Sequence, residues 1–405
     1  MKQPSTVFIA HTTENALVKG GGYFVFNRNS IGFSRGLDDV LESEPVDQSR
    51  IYKRGGYVSY LSEKPTNNYY NYSSEFDNAV HTKTNTVIVE EDTEVAPNGK
   101  LDADALMPLT EGTSQRFTQQ SISLLGIEHT FSVYVKPKGE RYVRLIYAQN
   151  ASPYTVYGQS TYDLVEGSTF NTVAGEARSE YFGNGWWRIS ITGTALGTGN
   201  QLFRISLGDE DYEAGSLEDG VLLWGGQVEP THSATSLVET TSSIETREGD
   251  RIYIPINDTD EITHRTYYFN LNLNDVGNSD SMITATDGTA DNVVQVRSQT
   301  NGTEIAIVVK MDGELFSDVV DVGGYDKDVK VALSFSDEKL RVSVNGEVAS
   351  SNTFKKLSFG SALDRIVNSN LNSTDDLNRY VGLINEVMVF PMTLSDAEMN
   401  LITTL

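Results

Sequence analysis

The sequence of 405 residues contains no cysteine, and positive charge is scarce in it. Without cysteine there is no disulfide framework, no thiolate metal site and no cysteine nucleophile. Lysine and arginine number 31 against 56 aspartates and glutamates, which gives a formal net charge of −25. Because the neutralisation of phosphate requires a basic surface, this composition argues against a nucleic-acid partner.

Long apolar runs are missing as well. No stretch approaches the roughly 20 apolar residues that cross a bilayer, and residues 1–11 hold only a short apolar run, so we expect neither a membrane segment nor a secretory signal. A chain without a signal is made in a cytosol, yet the absence of thiols and the 20 tyrosines and 34 glycines are typical of a protein that works outside cells. Virion proteins meet both conditions, because lysis of the host releases them.

Apolar residues alternate with polar ones along much of the chain. Residues 130–135, 142–147, 187–191, 329–335 and 340–344 repeat with a period of two and are separated by glycine, asparagine, aspartate and serine, a pattern that predicts antiparallel β-sheet. One helix start stands out near the end, where Ser395 is a candidate N-cap and Glu398 follows three residues later. The sequence therefore predicts an all-β protein.

The alternating runs divide the chain into three segments. Residues 1–65 hold few periodic runs, so we expect an irregular N-terminal segment that cannot close a core alone. Residues 66–240 and 250–405 each have the length of a two-sheet domain, with a linker at 239–243. The predicted fold is two consecutive antiparallel β-sandwiches after an irregular N-terminal segment.

A series of short motifs runs through the first predicted sandwich. In order, the chain carries PTNNYYNYSSEFDN at 65–78, APNG at 96–99, ADAL at 103–106, GNGWWR at 183–188 and GGQVEP at 225–230. This series resembles the modules of bacteriophage tail and head fibre proteins, except that Asn67 stands where their motif has arginine. The resemblance implies a carbohydrate-binding-module-like jelly roll for residues 66–240.

The last segment resembles a laminin-G-like, concanavalin-type sandwich. The resemblance rests on LRVSVNG at 340–346, GLINEVMVF at 382–390 and LSDAE at 394–398. Asn345 and Gly346 are well suited to a two-residue type I′ hairpin turn, in which both central residues need a positive φ. Such sandwiches host sugar binding, protein binding and hydrolysis, so this resemblance implies a fold and not a ligand.

Sugar binding requires aromatic planes that stack on pyranose rings and polar side chains that bind the hydroxyl groups. Any one such side chain is more often structural than ligand-binding, and of Trp186 and Trp187 we expect one in the core and the other on a concave sheet. The candidates in the first sandwich are Tyr134, Tyr142, Arg144, Tyr147, Trp186, Trp187, Arg204 and Trp224.

Calcium is the cofactor for which the sequence offers ligands, because carboxylates are clustered in two loops. The predicted metal residues are Asp209 and Asp211 in one loop and Asp275 and Asp280 in the other. No EF-hand pattern is present, and acidic loops are usually only solvated, so the alternative is that no cofactor binds.

Catalytic signatures are weak. The five histidines are isolated, there is no nucleophile elbow, and the glutamate-x-aspartate-x-x-glutamate motif of concanavalin-type hydrolases does not occur. We therefore expect a protein that is not an enzyme.

The fibre resemblance implies a virion protein that is assembled in the host cytoplasm and later exposed outside the cell. Its partners would be other virion proteins, held through residues 1–65, and a host-surface glycan or protein, bound by a homo-oligomer that is most often a trimer in such fibres. Nucleic acid and membrane are not expected as partners. A capsid or tail decoration protein without a receptor and a polysaccharide depolymerase remain the alternatives.

Overall fold

The computed structural model confirms the all-β class and shows antiparallel sheets that form sandwiches. The chain divides into two compact units, which we call the middle unit (Leu37–Ser43 and Thr66–Arg247) and the terminal unit (Met1–Gly36, Glu44–Pro65 and Glu248–Leu405). The structure describes residues 4, 6–9, 25–36, 40–54, 57–109, 116–209, 216–256, 264–273, 282–299, 302–311, 314–324, 327–336, 339–353, 363–369, 380 and 382–405.

In chain order, the strands up to the middle unit's last one are β1 Thr6–Ile9, β2 Val25–Asn27, β3 Gly32–Arg35, β4 Leu41–Glu44, β5 Ile51–Arg54, β6 Tyr57–Ser62, β7 Thr66–Asn68, β8 Thr82–Thr84, β9 Thr86–Val95, β10 Leu101–Pro108, β11 Phe117–Leu124, β12 Glu128–Lys138, β13 Tyr142–Gln149, β14 Val156–Asp163, β15 Thr169–Ala174, β16 Glu176–Tyr181, β17 Trp187–Thr194, β18 Gly199–Leu207, β19 Gly220–Glu229 and β20 Glu245–Arg247.

The middle unit contains two six-stranded sheets and a two-stranded sheet of β7 and β20. One has the order β16-β17-β12-β19-β10-β9, and we call it the β12 sheet; the other has the order β15-β14-β13-β18-β11-β8, and we call it the β13 sheet. Alternate residues of β12, such as Phe131 and Val133, enter a core that they share with Val143, Leu145 and Tyr147 of β13. This is the period-two pattern of the sequence realised as two sheets packed face to face.

The linker predicted at residues 239–243 is wrong for its first part. Thr240 is 5 % exposed, its N–H donates to Ser73 Oγ at 2.9 Å, and its hydroxyl donates to the carbonyl of Tyr70. A polar segment rich in serine and threonine resembles a linker in sequence, but here its hydroxyl groups satisfy buried backbone groups of the middle unit.

The remaining strands are β21 Arg251–Pro255, β22 Arg265–Asn272, β23 Met282–Thr286, β24 Val293–Ser298, β25 Glu304–Met311, β26 Glu314–Asp321, β27 Asp328–Ser336, β28 Lys339–Val344, β29 Glu347–Thr353, β30 Arg365–Val367 and β31 Gly382–Phe390, followed by the helix α1 Asp396–Thr403. One sheet of the terminal unit runs β29-β28-β27-β22-β31-β6-β5-β3, with β1 also on β31, and the other runs β2-β21-β30-β23-β24-β25-β26.

The described part of residues 1–65 is not irregular, which corrects the sequence-based expectation. β1 and β6 both pair with β31, and β2 pairs with β21, so these strands complete the two sheets of the terminal unit. The strands are only three to six residues long, and their partners lie far away in the sequence. Neither feature leaves a periodic signal in the local sequence.

A buried ion cluster joins these early strands to residue 250. Arg28 Nη1 lies 3.2 Å from Asp250 Oδ1, and Arg50 pairs with both Asp250 and Glu63. Burial lowers the pKa of Arg50, but the two carboxylates outweigh this and raise the pKa above its ordinary value. Since breaking a buried pair leaves an uncompensated charge, the cluster ties the N-terminal strands to the terminal sandwich.

Two local predictions for the terminal unit are confirmed. Ser395 caps α1, with its side chain accepting from the Glu398 N–H and the Glu398 carboxylate accepting from the Ser395 N–H. Asn345 and Gly346 have φ values of 50° and 89°, as a type I′ turn requires. Among the described residues, no helix combines the length and apolar character needed to span a membrane.

Candidate functional site

The β13 sheet carries a polar outer face opposite the core. Strand registers align Phe170, Thr161, Arg144, Ser206 and Phe117 in one row across β15, β14, β13, β18 and β11. Two residues further along β13, Ile146 also faces outward. It is aligned in a second row with Gln159, Arg204 and Gln119. We call the side chains of Gln119, Tyr142, Arg144, Gln159, Phe170 and Arg204 the arginine face.

Two aromatic rings form one border of the arginine face. Tyr142 and Phe170 are both half-buried, and their ring centroids lie 5.6 Å apart at an interplanar angle of 88°. Arg141 stacks over the Tyr142 ring, with its Cζ 5.3 Å from the centroid. Rings that are half exposed and fixed by neighbours can present an apolar surface to a ligand at little cost in conformational entropy.

Arg204 is the best-positioned polar side chain of the face. Its Cζ lies 3.8 Å from the centroid of the Phe117 ring, and its Nε donates to Gln119 Oε1 at 3.0 Å. The stack and the hydrogen bond fix the plane of the guanidinium, while Arg204 itself stays half-buried. The stack and the hydrogen bond use two features of arginine, its planar π-face and its rigid N–H donors.

Arg144 lies deeper, one row away from Arg204 on the neighbouring strand, and it is 8 % exposed. Side chains at such diagonal positions have Cα atoms about 7 to 8 Å apart, so the two guanidinium groups occupy one region of the face. Beside Arg144, the hydroxyl of Thr161 is 3.5 Å from the carbonyl oxygen of Asp209. The centre of the face is therefore more enclosed than the row that holds Arg204.

The described carboxylate at the edge of this face is already neutralised. Asp163, which lies opposite Tyr142, accepts from Arg141 Nε at 2.9 Å and from Arg141 Nη2 at 2.6 Å. The hydrogen bond from Arg141 is the main reason that the pKa of Asp163 is lowered. Asp163 is therefore held in place by Arg141 at the edge of the face.

Several predicted sugar-binding residues are instead buried. Tyr134, Tyr147 and Trp224 are 0 % exposed and Trp186 is 2 % exposed, so none of them presents a ring to a ligand. Tyr147 belongs to the core, whereas the indoles of Trp186 and Trp224 donate to the carbonyl of Val95 and to Asp102. Their aromatic chemistry serves packing, because an indole N–H finds its partner inside the fold.

Trp187 is half-buried, but it lies on the β12 sheet and not on the arginine face. It packs against the core, and Gly167 lies so close that a Cβ there would come within 2.2 Å of the indole. Its other neighbour is Tyr181, whose ring centroid is 5.0 Å away. Trp186 is thus buried, and Trp187 is half-buried against the core of the unit.

Of the four predicted calcium ligands, Asp209 alone lies in the part of the chain that is described. Asp211, Asp275 and Asp280 lie outside the described residues, and the carbonyl of Asp209 contacts Thr161. Within the described ranges there is no group of three or more histidine, aspartate or glutamate side chains placed to hold a metal ion.

Sequence reasoning found Tyr142, Arg144 and Arg204 but missed Gln119, Gln159 and Phe170. Tyr142 and Arg144 are aromatic and basic residues on the alternating run 142–147, and Arg204 is a basic residue of the same predicted sandwich. The missed residues belong to β11, β14 and β15, and their placement depends on which strands pair and in which register. The alternation along β13 predicts that Tyr142 and Arg144 face outward. It does not predict which residues of adjacent strands lie beside them.

The comparisons with known proteins find resemblance only among solved structures. No family model matches this sequence, and no curated protein matches it. The chain is similar to the Ruminococcus gnavus IT-sialidase CBM40 bound to alpha2,3 sialyllactose, at 14% identity and a TM-score of 0.31, covering 38% of this chain and 96% of that one. It is also similar to the receptor binding domain of botulinum neurotoxin D, at 15% identity and a TM-score of 0.31, covering 38% of this chain and 41% of that one.

Proposed function

We propose that this protein is a non-enzymatic bacteriophage fibre or spike protein whose middle unit binds host-surface glycan through the arginine face. The observation that carries the glycan proposal is the arrangement of that face. Half-buried aromatic rings lie at one border of the face, and glutamine and arginine side chains lie on the same side of the sheet. Stacking surfaces beside donors and acceptors for hydroxyl groups are what a sugar site needs.

The virion role is supported by the ordered motif series from residue 65 to residue 230, which resembles phage fibre modules. In this proposal the chain is displayed as a homo-oligomer, with a trimer favoured, so that several weak glycan sites act together through avidity. The early strands β1, β2 and β6 lie in the terminal unit, so attachment to the particle would be a property of that unit and not of a separate N-terminal arm.

A glycan array probed with the full chain tests the binding proposal. The Tyr142→Ala variant should bind the positive glycans about 5- to 10-fold more weakly, since an aromatic contact is worth about 1 kcal/mol. Tyr181→Ala is the matched control, because Tyr181 is an exposed tyrosine of the same unit that lies away from the arginine face. Equal losses in the two variants would contradict the assignment of the site.

The same experiments separate the alternatives. A chain that binds no glycan on the array but is found in purified particles would be a decoration protein. Release of reducing ends from host polysaccharide would identify a depolymerase. Immunogold labelling and mass spectrometry of purified particles test the virion role directly, and a chain that stays unassembled in the lysate would contradict it.

A further inference from the structure

Two neighbouring loops of the middle unit expose aliphatic side chains. The β11–β12 loop holds Leu125 and Ile127, which are 62 % and 44 % exposed, and the β17–β18 loop holds Leu196, which is 87 % exposed. The two loops are in contact, because a Cβ on Gly126 would come within 2.7 Å of the backbone of Gly197. We call the side chains of Leu125, Ile127 and Leu196 the loop tip.

The core below the loop tip is already complete. Leu124 and Ala195, the residues just before Leu125 and Leu196, are 5 % and 2 % exposed and belong to the core of the unit. The N–H of Ala195 donates to the carbonyl of Ile127 at 3.2 Å, which ties the two loops together. The exposed leucines therefore sit on a fixed backbone and add little to the core themselves.

The loop tip lies in an uncharged part of a strongly acidic chain. The segments 121–127, 150–155 and 193–200 contain no charged residue, whereas 21% of the whole sequence is charged. The second segment adjoins the third, because the N–H of Asn150 donates to the carbonyl of Asn200 at 3.0 Å. Single exposed apolar residues are common, but neighbouring ones in an uncharged surface are typical of a contact with another molecule.

We propose that the loop tip contacts a second copy of this chain. Two copies that each carry a formal net charge of −25 repel each other, and the uncharged loops are where they approach with the least repulsion. These segments also hold no lysine or arginine, the residues that attract an anionic bilayer. The inference rests on the homo-oligomer of the proposed function and names one of its contacts, but it is independent of glycan binding.

The size of the loop tip sets the expected strength of this contact. A stable interface buries about 800 Å² on each partner, and three aliphatic side chains supply only part of that area. We therefore expect an association that is weak and depends on protein concentration. Added salt should strengthen it, because salt screens the repulsion between acidic copies and does not weaken an apolar contact.

Sedimentation velocity of the full chain over a wide range of protein concentrations tests the inference. The wild type should shift from monomer toward oligomer as the concentration rises. Leu196→Ser should raise the dissociation constant about 10-fold or more, because it removes most of the apolar area that this residue would bury. Leu196→Glu should raise it further, and salt should recover part of that loss, since every copy brings an added charge to the contact.

Leu101→Ser is the matched control. Leu101 is a leucine of the same unit that is 62 % exposed, and it lies on β10, outside the uncharged segments. Its replacement should leave the dissociation constant unchanged, and urea denaturation should show that Leu196→Ser is as stable as the wild type. Equal effects of Leu101→Ser and Leu196→Ser on the dissociation constant would overturn the assignment to the loop tip.

The remaining outcomes distinguish this inference from the function on which it rests. If the chain forms oligomers that Leu196→Ser and Leu125→Ser leave unchanged, the loop-tip inference is overturned while the homo-oligomer stands. If the chain stays monomeric at every concentration, both fall, and the glycan array still decides glycan binding. If a monomeric chain binds phosphatidylcholine vesicles and Leu196→Ser abolishes that binding, the loop tip contacts a bilayer and the inference is overturned.

Discussion

Each six-stranded sheet of the middle unit carries an arginine stacked on an aromatic ring, but the two arginines differ in their exposure. On the β12 sheet, Arg188 lies over the ring of Tyr134 with its Cζ 5.1 Å from the centroid, and Tyr134 pairs in register with Arg188 and Trp224. On the β13 sheet, Arg204 lies over Phe117 at 3.8 Å. The first arginine is 8 % exposed and the second is half-buried.

The two sheets differ in the residues that pack on their outer sides. The outer side of the β12 sheet at Tyr134, which we call the covered face, packs against Phe182 and Trp224, and the Trp224 indole donates to Asp102 at 2.8 Å. Arg188 donates to Ser132 at 3.1 Å. An arginine stacked on a ring is therefore a packing element on one sheet, and on the other it is a candidate for contact with a ligand.

The largest expected effect is on the covered face. Trp224→Ala should lower the free energy of unfolding by about 3 to 5 kcal/mol, because the indole is fully buried and its removal leaves a cavity and an orphaned acceptor. Tyr142→Ala on the arginine face should cost about 1 kcal/mol. Urea denaturation of both variants checks the contrast, and similar losses would show that the two faces are equally structural.

The second prediction concerns how the stability of the middle unit depends on pH. Two buried titratable groups lie in this unit, one on β10 of the β12 sheet and one just before β8. Burial raises the pKa of Asp104 on β10 from 3.8 to about 6, and burial lowers the pKa of His81 from 6.5 to about 4. The stability due to Asp104 is present below about pH 4 and is lost as the pH rises through 6, whereas that due to His81 is present above 6.5 and is lost as the pH falls through 4. The two contributions nearly cancel between these values.

Single variants should expose each contribution. Asp104→Asn leaves His81 alone, so its stability should fall between pH 6.5 and 4 relative to the wild type, by on the order of 3 kcal/mol. His81→Gln should show the opposite slope over the same range. Urea denaturation at several pH values measures both, and parallel curves for the wild type and the two variants would contradict this account.

The third prediction tests the buried arginine of the covered face. Glu229 is fully buried; burial raises its pKa, and the charge of Arg188 opposes that shift. Arg188→Met should therefore cost about 2 kcal/mol, because it removes a favourable charge from a buried carboxylate. The double variant with Glu229→Gln should cost less than the sum of the two single changes, and strict additivity would show that the two side chains are not coupled.

The sequence was sufficient to predict features that depend on residues close together along the chain. The all-β class follows from alternation such as that of β12, and the helix cap at Ser395 and the turn at Asn345 follow from local residue chemistry. Features that depend on distant pairing were not predictable. Trp224 and Tyr142 both lie on strands, and only the registers and the covering segments decide that Trp224 is enclosed and Tyr142 is half-exposed.

The same limit explains the N-terminal strands. β2 is three residues long and becomes a strand only because β21 lies beside it, with Val25 opposite Tyr253. No local pattern in such a short run separates it from a loop. The burial of Arg28 against Asp250 has the same origin, since neither residue indicates its partner in sequence.

The smallest expected effect on stability is that of Arg204→Met, and it compares the stacked arginines of the two sheets directly. Arg204→Met should change the free energy of unfolding by less than about 1 kcal/mol, because a methionine still covers the Phe117 ring and Arg204 is half-buried. Urea denaturation beside Arg188→Met provides the matched measurement on the other sheet. If the two variants lose equal stability, Arg204 is a structural cover like Arg188, and the arginine face loses its main support as a binding site. A small loss of stability combined with a large loss of glycan binding would separate the two arginines by function, although both stack on an aromatic ring.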